Sequence, residues 1–310
     1  MSDRQPLSAV PRGIIHVPVT PFTPDNTVDL DTFGRVIEFL LRHDAASLCI
    51  NLHLAESLNL TLDERKRLAQ AAVEVVAGRV PVMVHVSTPG TDQAVALSCH
   101  AEKIGADCVV AIAPYYWKPS QDVLYQHFAT MMSATKLPFI AYNSPTIMDG
   151  VRIAPATLTA LMEHFPQFIG LKEASHNWET YLELGRAAKS VRADFGLFVG
   201  TEWIVPCLTL GGTACMSVFG GIAPRFVRAL YDATTTGDLT QALGLQYKFS
   251  ELYQIAKAEY PAPTKVMWEL MGRPVGAPRL PNRPLSPERK TELRATLERL
   301  GLYDTEPHGW

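Results

Sequence analysis

Lys172 stands in the run Phe168-Ile-Gly-Leu-Lys-Glu-Ala-Ser175, where an ammonium group interrupts an apolar stretch patterned like a buried strand. Lysine is almost never fully buried unless something needs it there. Desolvation disfavours the charged form and can lower its pKa, which turns the side chain into an amine able to attack a carbonyl carbon. The alternative is a strand-end lysine whose stem packs while its head reaches water. Tyr142 lies in the preceding apolar run, Ala141-Tyr-Asn-Ser-Pro145. Making and breaking a carbinolamine moves protons on and off oxygen, and a phenol on the neighbouring strand is placed to carry them. The pair suggests Schiff-base chemistry.

Eight short apolar runs must position these groups: Ile14 to Phe22, Ser47 to Leu54, Val80 to Ser87, Asp107 to Pro114, Pro138 to Pro145, Phe168 to Ser175, Phe195 to Glu202 and Ala214 to Gly221. Near-continuous hydrophobicity marks strands covered on both faces, and regular alternation with helical spacing marks parallel βαβ units. Eight such units predict an α/β fold, a (β/α)8 TIM barrel. Thr61-Leu-Asp-Glu64 is a capping box that opens a helix to about Ala77, with Gly78 past its end. Further helices are expected from about Asp92, Gln121, Ala156, Trp178 and Ala223. The barrel should occupy residues 1–235, and residues 236–310 should form an additional C-terminal helical extension packed on it, with helices near Leu239–Lys257, Pro263–Met271 and Pro287–Leu300.

In such a barrel the reactive groups project from the C-terminal strand ends. Those ends carry Thr20, the run His53-Leu-Ala-Glu-Ser57, Pro114-Tyr-Tyr-Trp117, Tyr142, Lys172, Gly200-Thr-Glu202 and Met216. A net charge of −3, with scattered Lys and Arg, offers no basic face for nucleic acid. No apolar run has membrane-spanning length, and Met1 to Ser8 holds charges and a proline where a leader needs an apolar core. A cytoplasmic protein with no membrane or nucleic-acid partner is the expectation. The five cysteines, Cys49, Cys99, Cys108, Cys207 and Cys215, form no C-x-x-C pair and read as reduced, mostly structural residues.

At this point the chain resembles, over essentially its whole length, the dihydrodipicolinate synthase and N-acetylneuraminate lyase family of class I aldolases. The matching pieces are Val19-Thr-Pro-Phe22, Glu56-Ser-x-x-Leu-Thr61-x-x-Glu-Arg65, Pro114-Tyr-Tyr116 with Pro119, Tyr142-Asn-x-Pro145, Gly170-x-Lys-Glu-Ala174 and Leu210-Gly-Gly-x-x-x-x-Ser217. The resemblance implies that Lys172 forms an imine with pyruvate or another 2-oxo acid, that Tyr142 relays protons and binds its carboxylate, and that Tyr116 joins the relay, often across a subunit boundary. It further implies a homo-oligomer, usually a dimer of dimers, a cofactor-independent reaction and a small-molecule 2-oxo acid substrate. His53, Leu54, Thr20, Gly200, Met216 and Trp117 are the candidate substrate-binding residues.

Three departures from the family pattern bear on the substrate. Leu52-His-Leu-Ala-Glu56 replaces the usual Gly-Thr-Thr-Gly-Glu, so His53 stands where a relay threonine is expected. Backbone amides could still hold the carboxylate there, and an imidazole titrating near neutrality could carry protons, or the ring could only shape the pocket. Thr146-Ile-Met-Asp-Gly150 lacks the arginine that in the lysine-biosynthesis enzymes holds a second carboxylate, which argues against dihydrodipicolinate synthase activity. Trp117, Trp203 and Met148, if they line the mouth, would favour an apolar or aromatic aldehyde.

The expected function is therefore a lyase of the aldolase or hydratase-aldolase type. Dehydration or cleavage of a 2-oxo-3-deoxy sugar acid would begin from the same imine. Two readings of other classes remain: a metal-dependent hydrolase or class II aldolase using His16, His53 and His85, and a barrel that binds a 2-oxo acid without turnover.

Overall fold

Strands buried on both faces need only a few residues each, and every strand here is four to six residues long. The computed structural model describes residues 10–310. The segment Met1 to Ser8, read above for a leader, lies outside the described residues. The first half of the ring is β1 (Gly13–His16), α1 (Leu30–Leu41), β2 (Ser47–Ile50), α2 (Leu62–Val76), β3 (Val82–His85), α3 (Thr91–Lys103), β4 (Cys108–Ile112) and α4 (Gln121–Ser133). The second is β5 (Phe139–Asn143), α5 (Pro155–His164), β6 (Phe168–Glu173), α6 (Trp178–Val191), β7 (Gly196–Gly200), α7 (Ile204–Thr209), β8 (Ala214–Ser217) and α8 (Pro224–Thr236). All neighbours pair in parallel, and β1 pairs with β8 from Gly13↔Ala214 to His16↔Ser217, which closes the barrel. The expected TIM barrel is present.

Each apolar run contains a strand but outlasts it. Val17, Val19 and Phe22 follow β1 and are as buried as the strand itself, because the βα loops fold back over the barrel mouth. Helix punctuation is legible in the sequence: Thr61 and Glu64 exchange both capping-box bonds at the start of α2, and Ala77 ends it in the left-handed conformation before Gly78.

After α8 come α9 (Leu239–Lys257), α10 (Ala262–Leu270), α11 (Pro287–Arg299) and the four-residue α12 (Leu302–Thr305), the last too short to show a period. This extension is fastened to the barrel by polar contacts as well as packing. Gln246 on α9 accepts from Val205 N and donates to Glu202 O. Glu306 accepts from the amides of Arg225 and Phe226 at the start of α8, where a helix offers unpaired N–H groups. The buried Arg273 guanidinium donates to Gly221 O, Ile222 O, Pro307 O and Gly309 O. Among the described residues no helix is long and apolar enough to cross a membrane.

Candidate active site

The register of β5 against β6 pairs Tyr142 with Lys172. Paired residues of a parallel ladder point to the same side, so the two strands present phenol and amine together. Lys172 Nζ lies 3.8 Å from the centre of the Tyr142 ring, over its negative face. Both side chains are buried, at 6% and 5% exposure. Glycine at position 200 makes room for the amine, since a Cβ there would sit 3.1 Å from Lys172 Cε and 2.9 Å from Ala174 Cβ. Phe198, the β7 partner of Lys172, turns its ring over Gly170, where a Cβ would come within 2.4 Å of it.

Two carboxylates near the ends of β6 and β7, Glu173 and Glu202, are engaged elsewhere. Glu173 accepts from Asn143 Nδ2 and Ser175 N, and Asn143 Oδ1 accepts from Ile153 N, so β5, β6 and their loops are tied together. Glu202 accepts from Ser217 Oγ and Phe219 N, and burial pushes its pKa up to about 7. Neither lines the cavity, so no carboxylate faces Lys172 there.

His53 opens a short 3-10 turn, His53–Ala55, directly after β2. Its ring centre lies 5.5 Å from that of Tyr142 and 5.8 Å from that of His85. Burial, then the nearby Lys172 and Arg65 cations, push its pKa down to about 3. The expectation of an imidazole titrating near neutrality is thereby corrected: His53 is a neutral ring, one nitrogen a donor and the other an acceptor. The turn is held from several sides. Thr20 Oγ1 donates to Ala55 O at 2.7 Å, Asn51 Nδ2 donates to Arg65 O, and the Arg65 guanidinium donates to Ser87 O and His85 O. Glu56, at φ 54°, accepts from Lys265 Nζ at 2.9 Å, from Arg279 N and from Asn282 Nδ2, which locks the turn to α10 and the segment after it.

These groups open into a cavity of about 240 Å³ at the C-terminal end of the barrel. Lys172, Tyr142, His53, Leu54, Gly200 and Met216 line it, as the sequence suggested. Thr20 does not; it acts on the turn from outside. Tyr116 and Trp117 also lie outside it, 86% and 67% exposed, with their rings packed on each other at 4.9 Å. The aromatic mouth expected from Trp117, Trp203 and Met148 is corrected likewise. Met148 is buried in the hydrophobic core, and Trp203 packs on Phe249 and Tyr253. The three histidines of the metal reading do not converge, because His16 turns outward to His43 O. Among the described residues no group of three or more His, Cys, Asp or Glu is placed to hold a metal ion.

The mouth is built instead by Thr201 of the Gly200-Thr-Glu202 run after β7 and by residues the sequence reading passed over: His176 after β6, Tyr253 and Lys257 on α9, and Tyr260 beyond its end. Tyr253 and Lys257 stand at i and i+4 on one face of α9, and Tyr260 lies just past its end. His176 and Thr201 hold φ of 59° and 63°, a conformation costly for residues with a Cβ and concentrated at functional sites.

A barrel with this lysine–tyrosine pair has known relatives. The profile of the dihydrodipicolinate synthetase family matches residues 10–300. A 4-hydroxy-tetrahydrodipicolinate synthase from Gluconacetobacter diazotrophicus is 33% identical over 297 residues, covering 94% of this chain and 98% of its own. Among solved structures, the Escherichia coli K12 prophage protein YagE, of the dihydrodipicolinic acid synthase family and in complex with pyruvate, is 29% identical, with a TM-score of 0.90 over 95% of this chain and all (100%) of its own. A monomeric dihydrodipicolinate synthase variant is 30% identical, with a TM-score of 0.88 over 94% of this chain and 97% of its own. With the fold, the family pattern and near-complete relatives in agreement, the chain belongs to the dihydrodipicolinate synthetase family.

Proposed function

We propose that the protein is a lyase that works through a Schiff base between Lys172 and pyruvate or a pyruvate-derived 2-oxo acid. The observation that carries this reading is the pairing of Lys172 with Tyr142 in the cavity, with the nearby carboxylates engaged elsewhere. The free amine attacks the keto carbon; the resulting carbinolamine takes a proton on oxygen, expels water and leaves a protonated imine. Tyr142 passes these protons. The imine then accepts the electron pair of the adjacent C–C bond as it breaks, or of a C–H bond as its proton leaves, and becomes an enamine. The amides of His53 and Leu54, where the 3-10 turn begins, receive the substrate carboxylate, and the His53 ring sits beside that of Tyr142.

Beyond the amine the walls include Ile147, Ala174, Val218 and Tyr253, which suit an aldehyde partner with an apolar body. A second reading, 4-hydroxy-tetrahydrodipicolinate synthase activity, is favoured by the name of the relatives, while Thr146 and Ile147 stand where the arginine for the second carboxylate is expected. Self-association is part of the proposal. The exposed Tyr116–Trp117 pair is the surface a second copy would cover, Tyr116 joining the relay across that boundary.

Proton exchange at the methyl group of pyruvate, followed by NMR in deuterated water, tests the reading. The wild type should replace the methyl protons with deuterium, Tyr142→Phe should do so about 10²- to 10⁴-fold more slowly, and Lys172→Ala should not do so above the solvent rate. Undiminished exchange by Lys172→Ala would refute the proposal.

A further inference from the structure

Charge is unbalanced across the cavity. Its lining holds two lysine side chains, Lys172 inside and Lys257 at the mouth, and no carboxylate. A 2-oxo acid bound at Lys172 brings one carboxylate to the inner end, and the protonated imine keeps the positive charge of an ammonium. Lys257 is then left without a counter-charge. It is exposed, and among the described residues it forms no salt bridge.

A cation in the last turn of a helix also interacts favourably with the helix dipole, and Lys257 is the last residue of α9. That effect would place a lysine anywhere on the turn, whereas Lys257 lies one turn beyond Tyr253, on the side that lines the cavity. Thr146 and Ile147, from the loop after β5, contribute no charge to the same mouth. The cation comes from the C-terminal extension instead.

Building on the Schiff-base reading above, we infer that Lys257 determines specificity by receiving a terminal carboxylate on the far half of the substrate, so that the preferred ligand is a dianion: a 2-oxo acid whose apolar body ends in a second acid. Ile147, Val218 and Tyr253 meet the body, and Lys257 meets the end.

Two probes of equal chain length isolate the contribution: 2-oxoadipate, which carries the terminal carboxylate, and 2-oxohexanoate, which lacks it. Each is titrated against the full-length protein in the presence of borohydride, and the half-saturating concentration for adduct formation at Lys172 is read by mass spectrometry. The wild type should trap 2-oxoadipate at a concentration roughly 3- to 10-fold lower, the range for a charge-assisted contact at a partly wet site. The ratio should approach one in Lys257→Gln, return in Lys257→Arg, and shrink with added salt. The thermal midpoint of each variant, read alongside, confirms that the fold is intact. Equal half-saturation of the two probes in the wild type, or a preference that survives Lys257→Gln, would overturn the inference while leaving the Schiff base standing. Absence of any adduct, with pyruvate as well, would overturn the reading beneath it.

Discussion

The loop after β2 and the loop after β4 flank the same barrel mouth, yet one is gripped by buried contacts while the other, with one exposed Lys118–Asp149 ion pair, leaves its tip in solvent. The first is gripped by Thr20 through Ala55 O, by Asn51 through Arg65 O, and by the buried Glu56–Lys265 pair. The second carries Tyr116 at φ 79° with 86% of its surface in solvent. A non-glycine residue in that region costs about 1–3 kcal/mol and persists where something over-determines it. For Glu56 the compensating contacts are buried and polar; the Tyr116 ring packs on the equally exposed Trp117. The contrast teaches that local strain alone does not mark a completed site, and that its compensation shows where the site's boundary lies.

The sharpest way to break this comparison is to cut the inner fastening. Lys265→Met leaves the Glu56 carboxylate buried without its cation, which costs about 3–5 kcal/mol. Guanidinium denaturation should show that loss, and Glu56→Gln combined with Lys265→Met should recover much of it. A loss below about 1 kcal/mol would place the pair among ordinary surface salt bridges.

A smaller effect follows from His53. Its folded pKa of about 3 lies below the ordinary 6.5, so unfolding takes up a proton between those values. This contribution is intact above pH 6.5 and is lost as pH falls toward 3. Denaturation curves between pH 7 and 4.5 should therefore be steeper in pH for the wild type than for His53→Gln, by up to about 1.4 kcal/mol per pH unit. Equal slopes would mean that the ring is not desolvated.

The smallest effect on folding belongs to the other loop. Tyr116→Ala should change the unfolding free energy, read at a dilution where chains are separate, by less than about 0.5 kcal/mol. Sedimentation velocity should show weakened self-association in the same variant. A large loss of folding stability with association unchanged would erase the distinction between the loops.

Much of this was legible in the sequence, for stated physical reasons. Eight apolar runs marked eight doubly covered strands, and the capping box at Thr61 and Glu64 was realised bond for bond. Lys172 and Tyr142 could be placed together because parallel order makes successive strands neighbours. What failed depended on loops and on distant chain segments. Trp117 follows β4, but it lies in the loop five residues past the strand and its indole is exposed, and no periodicity reports that. The mouth residues Tyr253 and Lys257 lie on a helix about 80 residues beyond Lys172, so only the packing of α9 against α7 and α8 brings them to the cavity. The near-neutral imidazole was misjudged because His53 lies between buried neighbours and two cations, which the residue type alone does not reveal.

The central claim, that Lys172 is the amine that condenses with a 2-oxo acid, is tested most directly by pyruvate and borohydride followed by peptide mass spectrometry. A pyruvyl adduct confined to the peptide that contains Lys172, and absent from Lys172→Ala, is the predicted result. An adduct on another lysine, or none with pyruvate and longer 2-oxo acids alike, would contradict it.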